Sequence, residues 1–189
     1  MTSEKPAAIA ETVAERVLHV DAAALPPQTI EICRKLFVDV AGLCVSARHE
    51  PYIAATRAAV DQGACTAIGH AQACDAFGAA LINGTAAHGE DYDDTFEGGP
   101  VHSGAVIIPA LLALSEREHL GGRELLEGIA IGVELLCRLS LVTPKAVHKA
   151  GFHPTAVFGT LAAAAACAKA LRLKHAETVS ALGIAGSMA

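Results

Sequence analysis

The chain has 189 residues, of which 52% are hydrophobic, 18% charged and 4% aromatic, with no tryptophan. That composition is ample for a buried core and argues against disorder, and the length suits one domain or one and a fraction. A formal net charge of −6 without a basic cluster disfavours nucleic acid as the main partner, because phosphate binding needs a basic face.

The amino-terminal stretch MTSEKPAAIAETVAERV carries charges throughout and lacks an apolar segment, so it does not read as a secretory signal. Helical periodicity then dominates. Residues 7–19 place Ile9, Val13 and Val17 on one side with Ala10 and Ala14, and Pro26-Pro27 breaks the pattern. A second helix is expected over 28–46 with Ile32, Leu36, Val40 and Leu43 inward. A third is expected over 51–62, with Pro51 in its first turn. Residues 63–70 are the only strand-like or looped stretch. A small-residue helix over 71–90 follows, suited to close helix approach.

Residues 91–100 (DYDDTFEGGP) read as a polar loop. The next helix starts at His102-Ser103 with Ser103 as N-cap, kinks at Pro109 and ends at Gly121-Gly122. Residues 123–141 form another, stopped by Thr143-Pro144. Gly151-Phe152-His153-Pro154-Thr155 restarts the chain sharply into an apolar helix reaching about Leu173, and a last helix begins at Lys174 and is still running where the sequence stops. The expected fold class is all-α, a multi-helix bundle with antiparallel neighbours joined by short loops. The longest stretch free of acidic, basic and histidine residues, 154–168, is too short to span a bilayer, which predicts a soluble protein with no membrane partner. The six cysteines (33, 44, 65, 74, 137 and 167) contain no C-x-x-C pair and read as small apolar residues at helical positions, mostly reduced thiols of a cytoplasmic protein.

Three places concentrate polar groups. In the first, His88 is followed by Glu90, Asp91, Asp93 and Asp94, with Tyr92 among them and Thr95 after. The helix dipole and the mutual repulsion of these acids would raise a carboxylate pKa there if the group is buried, which suits acid–base work. A solvated acidic loop and a divalent-cation site built on Asp91, Asp93 and Asp94 are the competing readings, though the order of residues is not that of an EF-hand. The second and third places are His102 and His153, each opening a helix. There, unpaired N–H groups and the positive dipole end suit a carboxylate, and a neutral imidazole is the expected form. Simple helix capping is the competing reading for either histidine. No sequence signature of a nucleotide or zinc enzyme is present.

NGTAAHGEDYDDT (83–95), PVHSGAVIIPALLALSE (100–116) and GFHPTAVFGTLAAAAACAKAL (151–171), in this order, resemble the MmgE/PrpD family, which includes 2-methylcitrate dehydratase, cis-aconitate decarboxylase and iminodisuccinate epimerase. The resemblance implies that residues 1–189 are an incomplete, truncated form of the large amino-terminal helical domain of such an enzyme, with a second α+β domain and its lysine-bearing segment absent from this chain. It implies a lyase or isomerase, most simply a dehydratase, acting on a small di- or tricarboxylate, without cofactor or metal, in a homodimer. By resemblance, Asp91, His102 and His153 are the catalytic residues, while Thr95, His102 and His153 bind substrate. Ser103 stands where many members have proline and Glu97 where histidine is frequent, which implies a subfamily with a different substrate. A non-catalytic helical module, a truncated remnant or dimerisation half, is the alternative expectation.

Overall fold

In a computed structural model of the chain, residues 8–189 are described, and the expectations for residues 1–7 lie outside them. The elements are α1 (Ile9–His19), α2 (Pro27–Ala47), α3 (Pro51–Ala58), β1 (Gln62–Cys65), α4 (Ala76–His88), α5 (Gly104–Glu118), α6 (Gly122–Val142), α7 (Ala146–Lys149), α8 (Pro154–Ala170) and α9 (His175–Ser187). The fold is all-α, as expected. No helix among the described residues is long and apolar enough to cross a membrane.

α5 lies at the centre, packed against α4, α6 and α8, and the α6–α8 pair forms the most extensive contact. Small residues permit this. α8 buries Ala162, Ala165, Ala166, Ala168 and Ala170, and α6 meets α5 and α8 through Gly128 and Gly132. A Cβ on Gly132 would stand 2.8 Å from two carbons of Ile107 and 3.1 Å from Ala166 Cβ, so no larger side chain fits without displacing the core. Ile107, Ile108, Leu111, Ile129 and Leu136 are fully buried in this layer. Truncating one of them to alanine would cost about 2–5 kcal/mol. A second cluster (Ala14, Val17, Ile131, Ala165, Leu182) docks α1 and α9 onto α6 and α8.

Several local expectations are corrected. Ile9 and Ile32 are exposed, at 84% and 55%. The buried row of α2 runs instead through Cys33, Val40, Cys44 and Ala47, with Leu36 and Phe37 beside it. That row carries small residues where α2 meets α4, and Cys44 Sγ donates to the Asn83 carbonyl oxygen at 3.3 Å. The third helix ends at Ala58, because β1 needs extended backbone to pair with Cys74. Asp75, whose carboxylate accepts from Gly78 N at 3.0 Å, starts α4 at Ala76, so 71–75 stay outside the helix. Buried Asn83 pins this segment, its Oδ1 accepting from Ile68 N and its Nδ2 donating to the Thr66 oxygen, both at 2.8 Å. α5 is ended by His119 in the left-handed region (φ 55°), and Gly121-Gly122 opens α6 instead. α9 ends at Ser187. All six cysteines are free, but Cys65 and Cys74 face each other across the β1 bridge and are not helical.

Candidate active site

Three helix ends meet at one place. His88 is the last residue of α4, His102 lies two residues before α5, and His153 is the N-cap of α8. Between α4 and α5 the chain turns back on itself. Asp91 adopts a left-handed backbone conformation (φ 56°), and residues 96–101 close a compact turn through Phe96 N to Val101 O at 3.0 Å and Gly99 N to Phe96 O at 3.1 Å.

The turn is fastened by Asp94. Its Oδ2 accepts from Ser103 N at 3.1 Å and from Ser103 Oγ at 2.6 Å, and its Oδ1 accepts from Gly104 N at 2.7 Å. Ser103 occupies the N-cap position as expected, yet its side chain makes no cap bond, because Asp94 supplies the cap from nine residues upstream. A Cβ on Gly104 would lie 2.5 Å from Asp94 Oδ1 and 2.8 Å from Val40 Cγ2, so only glycine admits the carboxylate there. This overturns part of the sequence reading: the first N–H groups of α5 hold an internal carboxylate and do not face a substrate.

Asp93 points the other way. Its side chain has no exposed surface, and its oxygens lie 3.0 and 3.1 Å from His88 Nδ1 and 3.3 Å from His102 Nδ1. A carboxylate between two imidazoles fixes their ring orientations and favours a proton on each Nδ1, leaving each Nε2 for other partners. Thr95 Oγ1 lies 3.4 Å from His102 Nδ1 and donates to the Asp93 carbonyl oxygen at 3.4 Å. Thr155, buried in the first turn of α8, accepts from the backbone N–H of His102 at 3.0 Å.

The imidazoles form a triangle. Ring centroids are 4.8 Å apart for His88–His102, 5.3 Å for His88–His153 and 5.9 Å for His102–His153, and His88 and His153 stack within 14° of parallel. Their Nε2 atoms are 3.3 Å apart. Partial burial of the His153 ring, followed by the neighbouring His88 and His102, lowers its pKa below the usual imidazole value, with Asp91 and Asp93 pulling the other way. The direction matches the sequence expectation, but its causes are burial and neighbouring rings.

Asp91, His102, His153 and Thr95 are therefore brought together. Asp91 is exposed, and its carboxylate lies within 4.8 Å of donor atoms of His88, Asp93 and His102. These four residues span a volume into which a divalent ion could draw ligands. The Nδ1–oxygen separations are hydrogen-bond distances, however, and Asp94, the third acid of the cation reading, is engaged in capping α5. The pairing of His88 with Asp93 was not assigned at the sequence level. Its signal is a histidine at a helix end five residues before an acid, but four acids within 90–94 leave the inward one undefined. Asp91, Thr95 and His153 are exposed, as are Tyr92 and Phe152 beside them, so the cluster opens to solvent on one side. The apolar groove of about 420 Å³ lined by Val13, Val17, Ile131 and Leu135 includes none of its members.

The site thus lies in an all-helical domain, with two histidines on a buried aspartate and a third against one of them. The chain belongs to the MmgE/PrpD family, whose N-terminal domain matches residues 11–189. It is similar to the cis-aconitate decarboxylase-like protein oryM of Aspergillus oryzae (30% identical over 177 residues, 87% of this chain and 37% of that protein). It is also similar to the cis-aconitate decarboxylases of Mus musculus (40% over 116 residues, 59% and 24%) and Aspergillus terreus (30% over 179 residues, 87% and 36%). The chain thus spans well under half the length of these relatives.

Proposed function

We propose that this chain is the helical part of a lyase or isomerase that needs neither metal nor organic cofactor and acts on a small di- or tricarboxylate by moving a proton at a carbon next to a carboxylate. The observation that carries this reading is the convergence of His88, His102 and His153 beside buried Asp93, with Asp91 and Thr95 at the rim. Similarity to cis-aconitate decarboxylases supports the substrate class.

Such a reaction needs a group that takes or gives a proton near neutral pH and donors that stabilise the charge developing on the substrate. His153, with its lowered pKa, is a base in its neutral form, and Asp91 is the second proton-transfer group. His102 and Thr95, held against Asp93, bind the carboxylates together with His153. Dehydration, epimerisation and decarboxylation all pass through a related carbanion-like state, so one arrangement serves each outcome. The expected assembly is a cytoplasmic homodimer.

The test is NMR of cis-aconitate and 2-methylcitrate incubated with the full chain in deuterated buffer. Conversion, or deuterium entering at a carbon next to a carboxylate, is expected. Absence of both with either acid counts against the chain acting alone. A second reading, a non-catalytic helical module that needs a further domain for activity, is favoured by one observation. Among the described residues no lysine or arginine bonds to the histidine cluster, Asp91 or Asp93, although a multiply charged substrate calls for fixed positive charge. Binding of either acid without turnover would support that reading.

A further inference from the structure

His153 is exposed at the head of α8 and makes no side-chain cap bond. Among the described residues its side chain has a single hydrogen-bond partner, His88 Nε2 at 3.3 Å. His88 in turn is held at its other nitrogen by both oxygens of Asp93, whose side chain is completely buried. The chain of contacts runs from a buried carboxylate through one imidazole to a second, and the two rings stack within 14°.

The geometry points to His88 as a positioning residue that sets the orientation and tautomer of His153. This rests on the acid–base reading of the cluster given above. A carboxylate can only accept, so the proton of a neutral His88 sits on Nδ1 and its Nε2 offers a lone pair. The facing Nε2 of His153 must then carry the proton, which leaves the His153 lone pair on Nδ1, turned away from His88. A substrate proton therefore reaches His153 at Nδ1. Without His88 the His153 ring has no anchor, and either nitrogen can face the substrate. His153 is faced by His88 from α4, by His102 from the approach to α5, and by Asp91 and Asp93 from the turn between them, so deleting one imidazole alters both its electrostatics and its alignment.

The experiment is nitrogen-15 NMR of histidine-labelled full chain across the imidazole range, wild type against His88→Asn. The asparagine amide can still donate to Asp93 from about the Nδ1 position, but it offers nothing at Nε2. In the wild type, neutral His88 is expected to be protonated on Nδ1 and neutral His153 on Nε2. In the variant the His153 midpoint is expected to rise as a neighbouring imidazole is lost, and its nitrogen shifts to average between tautomers. If cis-aconitate is turned over, kcat falls by about tenfold or more with KM nearly unchanged, and the acid limb of the kcat profile moves with the His153 midpoint. A wild-type His88 protonated on Nε2 in its neutral form, or a His153 signal indifferent to the substitution, overturns the inference. The NMR arm does not need turnover: the expected tautomers without turnover would count against the chain acting alone and leave this inference standing.

Discussion

The backbone N–H of His102 donates to the hydroxyl of Thr155 at 3.0 Å, tying the approach to α5 to the first turn of α8. Through this bond the two histidines that precede these helices keep a ring separation of 5.9 Å. Thr155→Val preserves shape and removes the acceptor. It is expected to cost about 1–2 kcal/mol in chemical denaturation, because a partly buried N–H loses its partner. Thr155→Ser should recover most of that. Equal stability of the valine variant and the wild type would show that the link carries no weight.

Asp94 closes the turn on α5 through three hydrogen bonds. Asp94→Ala is expected to lower stability by about 1–2 kcal/mol, as for loss of a strong N-cap, and more than Ser103→Ala does. The His102 ring signals should broaden in the same variant. If Ser103→Ala proved the more damaging, the cap would belong to the serine.

Burial pushes the thiol pKa of Cys44 and Cys167 from 9.0 to about 11. A raised pKa means that the folded state holds the proton more tightly than the unfolded one. The contribution to stability is therefore intact below about pH 9 and is lost as pH rises from there toward 11. Native protein at pH 8 should leave Cys44 unmodified by a thiol reagent for hours, while denatured protein reacts at once. Rapid native labelling of Cys44, mapped by mass spectrometry, would contradict its burial at 0% exposure.

Under the cofactor-independent reading, exhaustive treatment with a chelator followed by gel filtration leaves turnover, or binding of cis-aconitate, unchanged. Elemental analysis of the untreated chain should find less than about 0.1 mole of transition metal per mole. Activity lost to the chelator and restored by one metal would assign His88, Asp91, Asp93 and His102 to an ion.

The helices were legible because alanine, leucine and valine recur at helical spacing between prolines and glycines, and the histidine-led starts of α5 and α8 could be placed nearly to the residue. The buried side of α2 was less so. Periodicity marks Ile32, Leu36 and Val40, but close packing on α4 selects the smaller Cys33, Cys44 and Ala47 and leaves Ile32 outside. Residues 71–75 look helical by composition, and the competing pairing of Cys74 with β1 is a non-local contact that no window reveals. In the candidate site, Asp91, Thr95, His102 and His153 could be named from their motifs. The division of labour between Asp93 and Asp94 could not, since adjacent residues of one type diverge only when the turn at Asp91 (φ 56°) aims one at the histidines and the other at α5.

One carboxylate steadies two rings, and this couples them as targets of variation. A change at Asp93 disturbs His88 and His102 together, so neither imidazole can drift to suit a new acid without unsettling the other. Substitutions that leave this shared support intact are those at exposed sequence neighbours such as Tyr92 and Phe152.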